Sequence, residues 1–107
     1  MISFSFDEST RTVRCGFPQK MDTLASMKAA EEFEHGMKDL TAAGGRPEGL
    51  KIVFDLKDVA YIASSFLRLC LIAAKKADSG GFSIVNTAPE IIKIFRISGL
   101  GGILNVS

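Results

Sequence analysis

Histidine and cysteine are nearly missing from this chain. His35 is the one histidine and Cys15 and Cys70 are the two cysteines among 107 residues. A metal centre needs clustered Cys, His or carboxylate ligands. No H-x-x-x-H or C-x-x-C spacing occurs, so no metal and no cofactor is expected. The cysteines lie far apart in apolar surroundings, whereas a secreted domain of this size would carry several disulfide pairs, so reduced thiols are expected. Cys15 as a nucleophile would need a base, and His35 on the first helix is the sole candidate. A basic stripe is also lacking. Net charge is +1, Lys and Arg are scattered and aromatics are few, which argues against nucleic acid as a partner. The longest apolar stretch is broken by Arg68 and falls short of a bilayer span. No basic segment followed by an apolar one opens the chain, so a cytoplasmic protein without membrane insertion is expected.

Phosphate-binding loops are absent as well. Gly44 to Lys51 (GGRPEGLK) has its lysine away from the second glycine and leads into a strand, where the mechanism needs a helix. Gly99 to Gly102 does not follow a strand. Asp22, Asp55 and Asp58 fall near element ends, where they read as a helix cap, a strand-end acceptor and a turn residue. No catalytic residue is assigned, and the chain is not expected to be an enzyme.

What is present is strong periodicity. Ile2 to Phe6 and Thr12 to Phe17 alternate with period two and form a hairpin around Asp7-Glu8-Ser9. Asp22 or Thr23 caps a long helix in which Leu24, Met27, Ala30, Phe33, Met37 and Leu40 make the core face and Glu34 pairs with Lys38. Residues 43–49 stop that helix. Leu50 to Leu56 is a continuous apolar strand, expected to be central and covered on both faces. Helix two runs from about Ser65 to Ala77 and ends at Ser79-Gly80-Gly81. Phe82 to Asn86 is a strand. Thr87, Pro89 and Glu90 read as the cap, first turn and capping box of helix three, with Ile91, Ile94, Phe95 and Ile97 or Ser98 buried. Ile103 to Val106 adds a last short strand. The order is ββαβαβα(β), an α/β fold with a mixed sheet: an antiparallel N-terminal hairpin, then parallel βα units packed against helices, with residues 1–107 as one domain.

The segment Val59 to Leu67 places two hydroxyls, Ser64 and Ser65, where a strand hands over to a helix N-terminus. Free backbone N–H groups and the positive end of the helix dipole favour a phosphate there, and a serine at such a spot is either a plain cap or a switch. In helix two, Phe66, Leu67, Leu69, Cys70, Leu71 and Ile72 point in nearly every direction. Any strip left exposed would mark a docking face or a homodimer contact.

Gly16 to Asp22, Ile52 to Leu56 and Ala63-Ser64-Ser65-Phe66-Leu67, in this order, resemble the STAS domain of bacterial anti-sigma factor antagonists over essentially the whole chain. The resemblance implies a partner-switching regulator of transcription. Ser64, or alternatively Ser65, is then the phosphorylated residue, and the partner is an anti-sigma factor that is an ATPase-fold serine kinase. The unmodified form binds and the phosphorylated form lets go. It implies a partner surface of Asp22, Asp58, Tyr61, Ala63, Ser64, Ser65, Phe66 and Arg68. Two positions depart from the family pattern: Ala63 stands for its aspartate and Phe66 for its glycine. A phenylalanine at 66 either blocks the usual partner or anchors a different one. The alternative is a constitutive STAS subunit of a transporter ATPase or a stress-signalling complex, without phosphorylation.

Overall fold

In a computed structural model, residues 2–42, 45 and 47–107 are described. The alternating segments form β1 (Ser3–Asp7) and β2 (Thr12–Gly16), joined by a turn at Glu8 to Arg11. A two-residue strand β3 (Lys20–Met21) precedes α1 (Thr23–Ala42). There follow β4 (Lys51–Asp55), a second two-residue strand β5 (Tyr61–Ile62), α2 (Ser64–Lys76), β6 (Phe82–Val85) and α3 (Pro89–Ile97). The loop expected over 43–49 lies partly outside the described residues.

The main sheet has the order β1-β2-β4-β6. β1 is antiparallel to β2, and β2, β4 and β6 run parallel. Each step from β2 to β4 to β6 moves the same way across the sheet. Right-handed crossovers therefore put α1 and α2 on one face. The burial pattern agrees: Val13, Cys15, Ile52, Phe54, Phe82 and Ile84 are buried beneath the helices, whereas Arg14, Val53, Asp55, Ser83 and Val85 on the other face are not. β4 is thus central but covered on one face only, which corrects the two-sided expectation. The last segment contributes an isolated bridge, Ile84 to Val106, rather than a strand.

Phe54 is the centre of the core. Its ring meets Phe17 at 4.8 Å, Phe82 at 5.1 Å, Phe33 at 5.7 Å and Phe66 at 6.4 Å, mostly edge to face, the arrangement the ring quadrupoles favour. These rings join β4 to β6, α1, α2 and the segment after β2. Gly36 explains itself here. A glycine inside a helix costs roughly 1 kcal/mol against alanine. At this position a Cβ would come within 2.7 Å of the Phe4 ring, so glycine lets that ring lie against the backbone of α1 without being pushed aside.

Three helix details differ from the expectation. In α1 the buried stripe is Ser26, Ala29, Phe33 and Met37, whereas Leu24 and Met27 are 62% and 57% exposed. The small residues set the close side, and the large ones at the first turn are left outside. Glu34 pairs not with Lys38 but with Lys76 on α2, at 3.2 Å. In α3, Ile91 and Phe95 are buried but Ile94 and Ile97 are exposed. Ala88, not Thr87, is its N-cap. The Thr87 N–H is held by the Ser107 carbonyl, its side chain turns inward, and its hydroxyl is buried with no partner. Replacing Phe54 by Ala should cost about 3–5 kcal/mol in urea denaturation, because four rings lose their common contact.

Candidate functional site

The two shortest strands build the site. Lys20 pairs with Tyr61 and Met21 with Ile62 in parallel register. The Ala63 N–H continues this ladder, donating to the Met21 carbonyl at 2.8 Å, and the Ala60 and Tyr61 N–H groups both reach the Gln19 carbonyl. One residue beyond the last pair, the two chains arrive side by side at Asp22 and Ala63, where α1 and α2 begin. Farther along the pair, Lys76 at the end of α2 meets Glu34 past the middle of α1. The helices are therefore parallel, and their positive ends open on the same surface.

The two N-termini are finished differently. Asp22 caps α1: its Oδ1 accepts from the Ala25 N–H at 2.9 Å, as expected for this residue. The N-cap of α2 is Ala63, and no side chain caps it. Ser64 is the first helical residue and is exposed, so the plain-cap reading of this serine does not hold. Ser65 follows with its residue half-buried and its hydroxyl oxygen buried without a partner.

Arg68 lies one turn beyond Ser64 on the same exposed stripe, followed by Ile72 and Lys75. Tyr61 is half exposed on β5, and Asp58 is exposed in the preceding loop. Asp22, Tyr61, Ala63, Ser64 and Arg68 thus share one end of the molecule. Phe66 does not join them. It is fully buried, its ring edge-on to Phe17 at 5.1 Å, so it neither blocks nor anchors a partner. Leu67 and Leu71 are half-buried against the core, which leaves Ile72 as the exposed large apolar residue of α2. Leu24 and Met27 add exposed apolar surface to the first turns of α1. Periodicity alone misassigned them. The signal that would have found them is the rival stripe of Ser26 and Ala29.

Asp55 lies elsewhere, on the open sheet face. It accepts from the Arg14 guanidinium at 2.9 Å, the Lys57 N–H at 3.0 Å and the Asn86 amide at 3.1 Å. Partial burial pushes its carboxyl up. The bonds from Asn86, Lys57 and Arg14, with the Arg14 charge, outweigh that and hold it below the usual carboxylate range. The network pins the end of β4 and the loop leading to β5. The thiols are inert: burial pushes Cys15 up to about 12 and Cys70 further up. Among the described residues there is no cluster of His, Cys, Asp and Glu fit for a metal, and no helix is long and apolar enough to cross a membrane.

Solved structures share this architecture. An anti-sigma-factor antagonist (STAS) domain protein from Planctomyces limnophilus superposes with a TM-score of 0.79 at 16% identity, over 99% of this chain and 87% of that one. The chain has the STAS fold. An anti-sigma factor antagonist from Mycobacterium paratuberculosis gives 0.73 at 15% identity, over 99% and 85% of the two chains. The Bacillus cell fate determinant SpoIIAA in its phosphorylated form gives 0.59 at 19% identity, over 98% and 91%. No protein-family model and no curated protein matches the sequence.

The two serines should separate in stability measurements. Ser65→Ala removes a buried unpaired hydroxyl and improves helix propensity, so a gain of about 1 kcal/mol is expected in urea denaturation. Ser64→Ala should stay within about 0.5 kcal/mol of the parent. Asp55 should mark the acid limb. A lowered carboxyl stabilises the fold above its unfolded value near 3.8, and this is lost as pH falls through the lower folded value. Stability of Asp55→Asn should therefore be lower at neutral pH and flatter below about pH 4.

Proposed function

We propose that this STAS-fold chain, working as one domain, is an anti-sigma factor antagonist that switches partners through phosphorylation of Ser64, with an anti-sigma factor of the serine-kinase type as its partner. One observation carries the reading: Ser64 is the exposed first residue of a helix that has no side-chain cap. Among the described residues its hydroxyl makes no hydrogen bond, and it stands at the positive end of α2. A phosphate there adds nearly two negative charges and three acceptor oxygens beside Asp22. That changes the potential of the surface formed by Asp22, Asp58, Tyr61, Ala63, Ser64, Ser65 and Arg68 without touching the core. The solved neighbours are antagonists of anti-sigma factors by their descriptions, and one is a phosphorylated form. The inward turn of Phe66 supports the reading too, since the family's glycine surface is not filled by its ring.

The test measures affinity for the anti-sigma factor of the same organism. Ser64→Ala should bind like the parent. Ser64→Asp should bind more weakly, on the order of tenfold or more, as a charge placed in a desolvated interface requires. Equal affinities for both variants would overturn the switch and leave a constitutive docking module. Mass analysis of the protein from its own cells, with fragmentation across 63–67, should find the phosphate on Ser64 and not on Ser65.

A further inference from the structure

The sheet has one edge without a strand partner, occupied only at its start, where the Ile2 N–H donates to Glu32 Oε1 at 2.8 Å. β6 at one side meets Val106, but β1 at the other has no strand beyond it among the described residues. The hydrogen bonds show which way β1 directs its backbone. On β2, the Arg11 carbonyl accepts from Lys51 next to β4, whereas the Gly16 N–H reaches the Ser3 hydroxyl at 2.9 Å and the Ser5 hydroxyl reaches the Arg14 carbonyl at 3.5 Å. Main-chain groups alternate sides along a strand. Thr12, Arg14 and Gly16 therefore face β1, and their partners Asp7, Ser5 and Ser3 face back. That leaves the N–H and C=O groups of Phe4 and Phe6 directed off the sheet.

Natural edges are usually blunted by lysine, proline or a bulge. β1 has none of these. Its register with β2 is continuous, and its one charge, Asp7, sits at the end. The aromatic side of the edge is also unfinished: Phe4 and Phe6 are half-buried, while Val13, Cys15, Ile52 and Phe54 beside them are fully covered.

We propose that β1 receives β1 of a second copy of this chain, antiparallel, across a two-fold axis at Ser5. The sequence Ser3-Phe4-Ser5-Phe6-Asp7 is complementary to itself in this register. Phe4 faces Phe6 of the other copy and exchanges two backbone hydrogen bonds with it, and the same happens on the other side of the axis. All four rings extend the covered face, as an isologous contact requires. Ser3 faces the Asp7 carboxylate of the other copy, and the paired segment ends there, because beyond it Ile2, whose N–H is held by Glu32, would face Glu8. The open-face hydroxyls of the two Ser5 residues meet at the axis. Ser64 stays free in both copies, because β1 is the outer strand and Ser64 follows β5 outside this sheet.

Sedimentation velocity from micromolar to millimolar concentration should show a reversible dimer. Ser5→Glu places two carboxylates opposite each other at the axis, while in the monomer each has Arg14 as its cross-strand neighbour. It should raise the dimer dissociation constant on the order of tenfold. Amide exchange of the parent provides the second reading: Phe4 and Phe6 should gain protection as concentration rises. A protein that stays monomeric throughout, a dimer that Ser5→Glu leaves equally tight, or a dimer whose Phe4 and Phe6 amides exchange as in dilute solution would each overturn the proposal.

Discussion

The contact on which the rest of this molecule depends is the ring cluster around Phe54. A four-stranded sheet covered on one face has one layer in which to build its core. Here that layer is organised by five aromatic rings contributed from five different segments. Phe54 stands on β4, Phe82 reaches it from β6, Phe33 from α1, Phe66 from the first turn of α2 and Phe17 from the segment after β2. The cluster therefore sets more than stability. Because Phe66 is the third residue of α2, its burial fixes the rotation of that helix about its own axis at the end that carries Ser64 and Ser65. Successive helical residues are about 100° apart. With residue 66 turned fully inward, residue 65 must stand at the flank and residue 64 must face out. The exposure of Ser64 is a consequence of the phenylalanine two positions later.

The same rotation explains the uncapped start of α2. A serine at the N-cap position would close its hydroxyl onto the backbone, stabilising the helix by roughly 1 kcal/mol. In this chain alanine occupies that position, and the serine falls one residue later, where the hydroxyl has left the capping geometry. The lost cap is offset by the ladder from Met21 to Ala63, which fixes the entry of the chain, and by the buried Phe66. At the parallel helix beside it, Asp22 performs the capping that Ala63 does not. Two neighbouring helices thus present one occupied and one open N-terminus on a common surface.

Much of this was legible in the residues. Period-two alternation located β1 and β2, the apolar run located β4, and the glycine breaks located the ends of α2 and α3. The parts that were not legible have physical reasons. β3 and β5 are two residues each, too short to show any period, yet they align the helix starts. Leu24 and Met27 fit the helical spacing of a core stripe, but in the fold the stripe passes through Ser26 and Ala29, because a helix packed closely uses its small residues. Thr87 and Glu90 have the spacing of a capping box, but the terminal segment takes the Thr87 N–H and turns its hydroxyl inward. At Phe66 the sequence raises a question of surface chemistry, and only the direction of the side chain answers it. Local patterns were read well wherever one element decides them. They failed wherever a second element competes for the same group.

That competition also separates the two serines chemically. A phosphoryl group needs room for its three oxygens and access to solvent or donors. At position 64 the side chain already stands in solvent, at the head of a helix whose backbone donors are uncapped, so a modification is accommodated by the existing geometry. At position 65 the hydroxyl oxygen is buried at the flank of α2. A phosphate there would have to leave the buried position that the hydroxyl occupies beside Phe66. The core therefore makes the choice between two adjacent and chemically identical groups: the residue that anchors α2 denies one serine to solvent and delivers the other.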